Sequence, residues 1–263
     1  NTHDDILFFT NYGKVYCTKA YEIPEAQKTA RGRAIVNLLE LDKDEKVETI
    51  IPLNDRSEGY LIIATRKGMI KKTDLSQYQN IRKSGKIAIS LNQGDSLIGV
   101  AVTSGHDEIM IASREGKCIR FNEKSVRKTG RDSMGVRAMN LDGKDYMVDM
   151  RVLKEGHDIL TITEHAFGKR TSPEEYRVQG RNGKGIKAGI INEKTGEIVN
   201  LKQVTDNDDV MIIADNGVII RVPAKSISKV GRNTQGVKIM RLKDDAKVMS
   251  VAIADSVAED MTE

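Results

Sequence analysis

Asp215-Asn216-Gly217-Val218-Ile219-Ile220-Arg221, followed ten residues later by Gly231-Arg232-Asn233-Thr234-Gln235-Gly236-Val237, is the stretch that decides the fold. Asp209 and the apolar run Val210 to Ile213 precede it and read as a short buried strand. The Asn-Gly pair supplies the positive φ that a two-residue hairpin requires. A return strand then carries a cation, and a polar connection leads to a second glycine.

Working outward, the same order occurs four more times. The turn position is held by Gly13, Gly68, Gly116, Ala166 and Gly217, and the second glycine by Gly32, Gly85, Gly135, Gly185 and Gly236. Four residues after each turn stand Cys17, Lys72, Arg120, Arg170 and Arg221. The positions four and six beyond the second glycine are apolar in nearly every copy, as in Ile89 and Leu91 or Met240 and Leu242, and predict a third strand of period two. Ile98, Val100 and Val102, like Val148, Met150 and Val152, predict a fourth. Four short strands in every 50 or so residues is the pattern of propeller blades. The expected class is therefore all-β, with blades over residues 1–56, 57–105, 106–156, 157–207 and 208–256 and an acidic, disordered tail at 257–263.

Composition narrows the function classes. The chain of 263 residues has a formal net charge of +4 and contains no apolar run long enough to span a bilayer, so a cytoplasmic location is expected. Cys17 and Cys118 lack metal-site spacing and are expected to be free thiols. No serine, cysteine or histidine constellation for catalysis is apparent, and His3, His106 and His157 recur in repeat-boundary turns where capping roles are expected. Gly180 to Gly185 has phosphate-loop spacing, but Ile186 and Lys187 stand where Lys and Ser or Thr must follow. Neither a metal nor a cofactor is expected.

The cations recur with the repeat. Gly130-Arg131, Gly180-Arg181 and Gly231-Arg232 each open a Gly-Arg-x-x-x-Gly string, and Arg31-Gly32-Arg33 and Arg82 to Lys86 are their counterparts. In such loops glycine lets backbone N–H groups approach an anion while arginine adds charge-assisted bonds to phosphate. The competing reading is that Lys and Arg merely keep strand edges soluble. As a repeated set they predict a basic rim for a phosphodiester backbone, with Arg31, Arg33, Lys71, Lys72, Arg82, Lys86, Arg120, Arg131, Lys169, Arg170, Arg181, Lys184, Arg221 and Arg232 as its residues.

Several strings resemble one family. Asn1-Thr2-His3-Asp4, Ile6-Leu7-Phe8-Phe9, Gly13-Lys14-Val15-Tyr16, Gly85-Lys86-Ile87-Ala88-Ile89, Gly168-Lys169-Arg170-Thr171 and Gly231 to Val237 are similar to the C-terminal domain of the DNA gyrase A subunit, over residues 1–255. The resemblance implies a β-pinwheel of six blades, of which five are present, with hairpins exchanged between neighbours. It implies non-sequence-specific wrapping of duplex DNA in support of negative supercoiling, with the N-terminal cleavage domain and gyrase B as partners. ATP and Mg2+ would serve the full enzyme, whose catalytic tyrosine lies outside this chain. The family's glycine-rich basic box is expected in a blade upstream of Asn1. Gln179-Gly180-Arg181-Asn182-Gly183-Lys184-Gly185 echoes it with Gly180 and Asn182 replacing expected residues, which implies DNA contact for Arg181 and Lys184. The topoisomerase IV counterpart and a propeller-like protein scaffold are the alternatives.

Overall fold

The computed structural model describes residues 1–27, 32, 34–54, 58–81, 83–243 and 245–255. The expected tail and Arg31, Arg33 and Arg82 lie outside the described residues. The chain forms two compact units, one of Asn1–Asp107 with Glu123–Ala138 and one of Glu108–Asn122 with the residues from Met139 onward.

Short strands form because each repeat offers only five to eight apolar-rich residues between turn signals. Among the described residues they assemble into five antiparallel sheets, four of them four-stranded. In the first, Val47–Leu53 pairs with Asp5–Thr10, which pairs with Lys14–Lys19, and the outer position is taken by Lys86–Ile87. The second repeats that order with Leu97–Thr103, Tyr60–Thr65, Met69–Asp74 and Val136–Arg137. In the other unit come Met147–Val152, Glu108–Ser113, Lys117–Asn122 and Ile186–Lys187, then Ile198–Val204, Asp158–Thr163, Phe167–Thr171 and Val237–Lys238. The fifth sheet has three strands among the described residues, Ile219–Pro223, Asp208–Ala214 and Val248–Asp255, and so falls one short of the expected four. The outer strand of each four-stranded blade comes from the following repeat, so strands are exchanged along the chain as the resemblance implies.

Two details differ from the sequence-based expectation. The hairpin loop has three residues. At the fifth copy Ala214 N donates to Val218 O, so only Asp215, Asn216 and Gly217 lie outside the ladder. Only the third adopts positive φ, 82° at Gly217 and 61° at Ala166, as in a type I turn closed by a left-handed residue. On its other side the hairpin's first strand meets a bulge, for example where Ile162 faces Asn200 and Thr163 faces Ile198, leaving Val199 as the extra residue.

The predicted third strand is a two-residue pairing placed directly after the second glycine. Two residues are all that pair because the chain then turns inward. Ala88 N donates to Gly13 O at 2.8 Å, Ala138 N to Gly68 O at 2.7 Å, Ala188 N to Gly116 O at 2.8 Å and Ile239 N to Ala166 O at 2.9 Å. The next apolar side chain, such as Ile89 or Met240, drops into the core of the preceding blade beside Leu7 and Phe9 or Leu160 and Ile162. In the first copy Ile35–Asn37 is a 3-10 turn with Val36 exposed, where a strand was expected.

The core is layered between blades, with one cluster formed by Leu7, Phe9, Leu61, Ile63, Tyr78 and Leu97 and another by Met110, Cys118, Tyr176 and Leu201. Burying each such aliphatic side chain contributes about 1.5–3 kcal/mol. Both cysteines are free thiols, and burial pushes the Cys17 thiol up to about 11 and the Cys118 thiol higher still.

Candidate nucleic-acid interface

The cation four residues past each turn faces inward. Lys72 Nζ donates to Glu123 O at 3.0 Å, and Glu123 is itself wholly buried, accepting from Thr103 Oγ1, Gly105 N and Asp107 N. Arg120 donates from Nε to Glu108 at 2.7 Å and from Nη1 to Pro173 O at 2.6 Å and Tyr176 O at 3.3 Å. Arg170 donates from Nε to Ile227 O at 2.9 Å and pairs with Asp158 and Asp206. Each therefore ties one blade to the 3-10 turn of the next repeat, Glu123–Ser125, Pro173–Glu175 or Ala224–Ser226. Single parallel bridges, Lys72 to Lys128, Arg120 to Val178 and Arg170 to Lys229, complete each clasp. Arg221 is the exception, about half exposed and bonded to Asp209 within its own hairpin.

Lys71 and Lys169, one residue earlier, are also buried. Lys71 Nζ donates to Ala88 O and Arg131 O, and Lys169 Nζ donates to Gly231 O at 3.1 Å, Thr234 O at 2.9 Å and Arg232 O. Burial, aided by Arg131, lowers the Lys71 ammonium to about 7. Burial likewise lowers Lys169 to about 8. The Gly-Arg-x-x-x-Gly loops thus wrap their carbonyls around an internal cation, the reverse of the expected use of their N–H groups for an external anion. Lys71, Lys72, Lys169 and Arg170 are accordingly corrected from rim residues to internal ones, and the mostly buried Arg120 with them. The physical reason is the register. Residues three and four past the turn lie in the second strand of a four-stranded sheet, where the next repeat covers them.

At the loop over the third blade Ile119 takes the place of Lys71 and Lys169. There Gly183 sits above Ile119, a Cβ on it falling 3.6 Å from Ile119 Cδ1. The loop over Lys169 reads Gly-Arg-Asn-Thr-Gln-Gly, and the loop over Ile119 reads Gly-Arg-Asn-Gly-Lys-Gly. A buried cation beneath is exchanged for an exposed one, Lys184, above. Lys184 Nζ reaches Asp142 at 3.0 Å.

The outer strands hold the cations that face outward. Each two-residue edge strand contributes one, namely Lys86, Arg137, Lys187 and Lys238, the last three exposed and Lys86 partly so. Arg131 Nη1 donates to Ile87 O and Arg232 Nη1 to Lys187 O at 3.0 Å, which places each loop arginine beside the edge strand of the preceding blade. Arg181 occupies the same loop position in its repeat and is partly exposed. The structure therefore brings Lys86 together with Arg131 in one unit and Arg232 together with Lys187 in the other. Arg137, Lys187 and Lys238 are not among the residues expected from sequence. The signal that finds them is the residue one or two past each second glycine, which is basic in Lys86, Arg137, Lys187 and Lys238.

The family model described as the DNA gyrase C-terminal domain, beta-propeller, matches residues 4–54, 59–104, 107–154, 157–205 and 208–255. The DNA gyrase A subunit of Escherichia coli K12 is 44% identical over 262 residues, covering 99% of this chain and 30% of that protein. The chain therefore spans about a third of the length of the curated relatives it matches. Among solved structures, the C-terminal domain of DNA topoisomerase IV superposes with a TM-score of 0.90 at 26% identity, covering 97% of this chain and 80% of that one. The DNA gyrase A C-terminal domain superposes at 0.82 and 27% identity, covering 96% and 83%. The exchanged blades, their recurring glycines and these matches lead to one conclusion: the chain belongs to the DNA gyrase C-terminal domain family, the C-terminal part of the gyrase A subunit.

Proposed function

We propose that this chain binds and wraps duplex DNA along the outer edges of its blades. The observation that carries the reading is the edge-strand cation of every four-stranded blade, with a loop arginine hydrogen-bonded next to it at Ile87 and Lys187. Flat, two-residue edges let a duplex approach the sheet end, and cations that read phosphates carry no base information. Bending 20–30 bp by 40–90° costs about 1–6 kcal/mol, which many distributed phosphate contacts offset.

Within the full gyrase assembly the wrapped segment would be handed to the N-terminal cleavage domain, with gyrase B supplying ATP-driven passage toward negative supercoils. The protein would act in the cytoplasm on the nucleoid, and Mg2+ and ATP would be used outside this domain. The test is duplex binding across a salt series, comparing the parent with the triple variant Arg137→Gln, Lys187→Gln and Lys238→Gln. The salt slope should become shallower by about 0.9 for each phosphate that is no longer neutralised. An unchanged slope and affinity in the folded triple variant would refute the reading.

A further inference from the structure

The first hairpin breaks the clasp rule. Where Lys72, Arg120 and Arg170 reach into the next repeat, the corresponding residue is Cys17, whose side chain ends at Sγ and lacks the rest of an arginine's length. The groups that would receive the missing guanidinium are nonetheless in place. Asp5 starts its strand as Glu108 and Asp158 start theirs, and those carboxylates bind Arg120 and Arg170. Leu75 and Tyr78, at either end of the 3-10 turn Leu75–Tyr78, are the counterparts of Pro173 and Tyr176, whose carbonyls accept from Arg120.

In this repeat the same groups line a cleft of about 260 Å³. Its walls include Asp5, Lys19, Leu53, Leu75, Tyr78 and Asn80. Asn80 adopts φ 55°, whereas its counterparts Lys128, Val178 and Lys229 form the parallel bridges of the closed clasps. The left-handed turn at Asn80 thus lies in the wall of the cleft, and the short Cys17 side chain meets that wall through its hydrogen bond with Asp5.

The acid is set up for a second cation. Asp158 holds Lys229 on Oδ1 at 2.7 Å and Arg170 on Oδ2 at 3.4 Å. Asp5 holds Lys19 on Oδ1 at 2.8 Å and, among the described residues, otherwise accepts only from the Cys17 thiol, a weak donor in the place where Asp158 takes Arg170. The apolar faces of Leu53, Leu75 and Tyr78 suit an aliphatic stem, and a planar five-donor group suits a carboxylate flanked by turn carbonyls.

We propose that this cleft is a binding site for a guanidinium group on an aliphatic stem, supplied from outside the chain where the other clasps carry their own cation. Two sources share that chemistry, a free guanidino-amine such as agmatine and an arginine side chain of a peptide. The site is separate from the edge-strand cations and does not rest on DNA binding.

The experiment is a two-dimensional amide and side-chain NMR titration of the chain with agmatine, N-acetylarginine amide and the uncharged isostere N-acetylcitrulline amide. Saturable shifts at Asp5, Lys19 and Leu75–Asn80 are expected with a guanidinium compound, at least about tenfold weaker with citrulline. Tighter binding of agmatine assigns the free amine, and tighter binding of the arginine amide assigns the peptide. Cys17→Arg should fill the cleft from within, abolish the shifts and raise Tm. Asp5→Asn, a milder change, should weaken binding about tenfold in a chain whose remaining spectrum is unaltered. Equal binding of citrulline, shifts that persist in folded Cys17→Arg or in Asp5→Asn, or no saturation up to roughly 10 mM would overturn the proposal.

Discussion

Lys169 and Arg232 act on the same loop from opposite sides. The buried Lys169 ammonium donates to the carbonyl of Arg232, while the Arg232 guanidinium donates at 3.0 Å to Lys187 O on the neighbouring edge strand. The inner cation shapes the loop, and the outer one faces the candidate DNA track. Conservative loss of the inner charge should therefore disturb the outer hydrogen bond.

Lys169→Ile alone removes a donor from three loop carbonyls; Gly231 O keeps Thr234 Oγ1 and Thr234 O keeps Ile190 N, so Arg232 O is the group stranded, at a cost of about 1–3 kcal/mol. Combining it with Thr234→Gly and Gln235→Lys reproduces the loop found over Ile119. The triple variant should recover most of the stability missing from the single one, measured by urea unfolding, because the copied loop already closes over an isoleucine. Equal instability of both would show that the loop does not adapt to what lies beneath it.

The lowered ammonium groups set a pH dependence. Lys71 at about 7 and Lys169 at about 8 release their protons in the folded state while the unfolded chain keeps them to about 10.4. The unfolded state thus binds more protons between about 7 and 10.4, and the contribution of these two groups to stability rises with pH across that window. Below about 7 both states are protonated and the contribution is flat. In the double variant Lys71→Met and Lys169→Met that rise should vanish from the unfolding curves, and it should appear in the difference between parent and variant.

The clasp cations should behave as structural groups. Arg170→Met leaves Asp158 with Lys229 but strands the buried Ile227 carbonyl and is expected to cost about 1–3 kcal/mol. Arg221→Met, at a half-exposed pair, should cost under about 1 kcal/mol. Arg170→Met should leave the salt slope of DNA binding unchanged in a chain that remains folded, in contrast to the edge-strand triple variant.

Two glycines separate backbone preference from packing. Gly217 and Gly185 share positive φ, 82° and 72°. A Cβ on Gly217 meets nothing within 4 Å, so Gly217→Ala should cost only the left-handed conformation, about 1–2 kcal/mol. At Gly185 the same atom would lie 2.7 Å from Cys118 O, a backbone atom that cannot step aside. Gly185→Ala should cost more than Gly217→Ala by thermal unfolding and should loosen the pairing of Ile186 with Cys118.

The sequence alone determined the all-β class, the five copies and their turns, because hairpin strands and positive-φ residues are local events with local signatures. The apolar bursts Leu7 to Phe9 and Leu61 to Ile63 are buried as their patterning requires. Which cations reach the surface was legible only in part. Arg131, Arg181, Lys184 and Arg232 are partly or fully exposed, as their loops predict, while Lys71, Lys72, Lys169 and Arg170 carry the same charge yet are enclosed.

What tertiary structure alone decided is the direction each cation faces. A strand's two faces are distinguishable from sequence when one meets solvent, but here the outer strand and the covering loop arrive from the next repeat, some 50–65 residues away. That exchange turns Lys72 and Arg170 into clasps, leaves Arg137, Lys187 and Lys238 outside, and leaves a cleft beside Asp5 and Leu75 in the repeat whose clasp cation is replaced by Cys17. Charge is written in the chain, whereas its solvent exposure is set by which neighbouring repeat covers it.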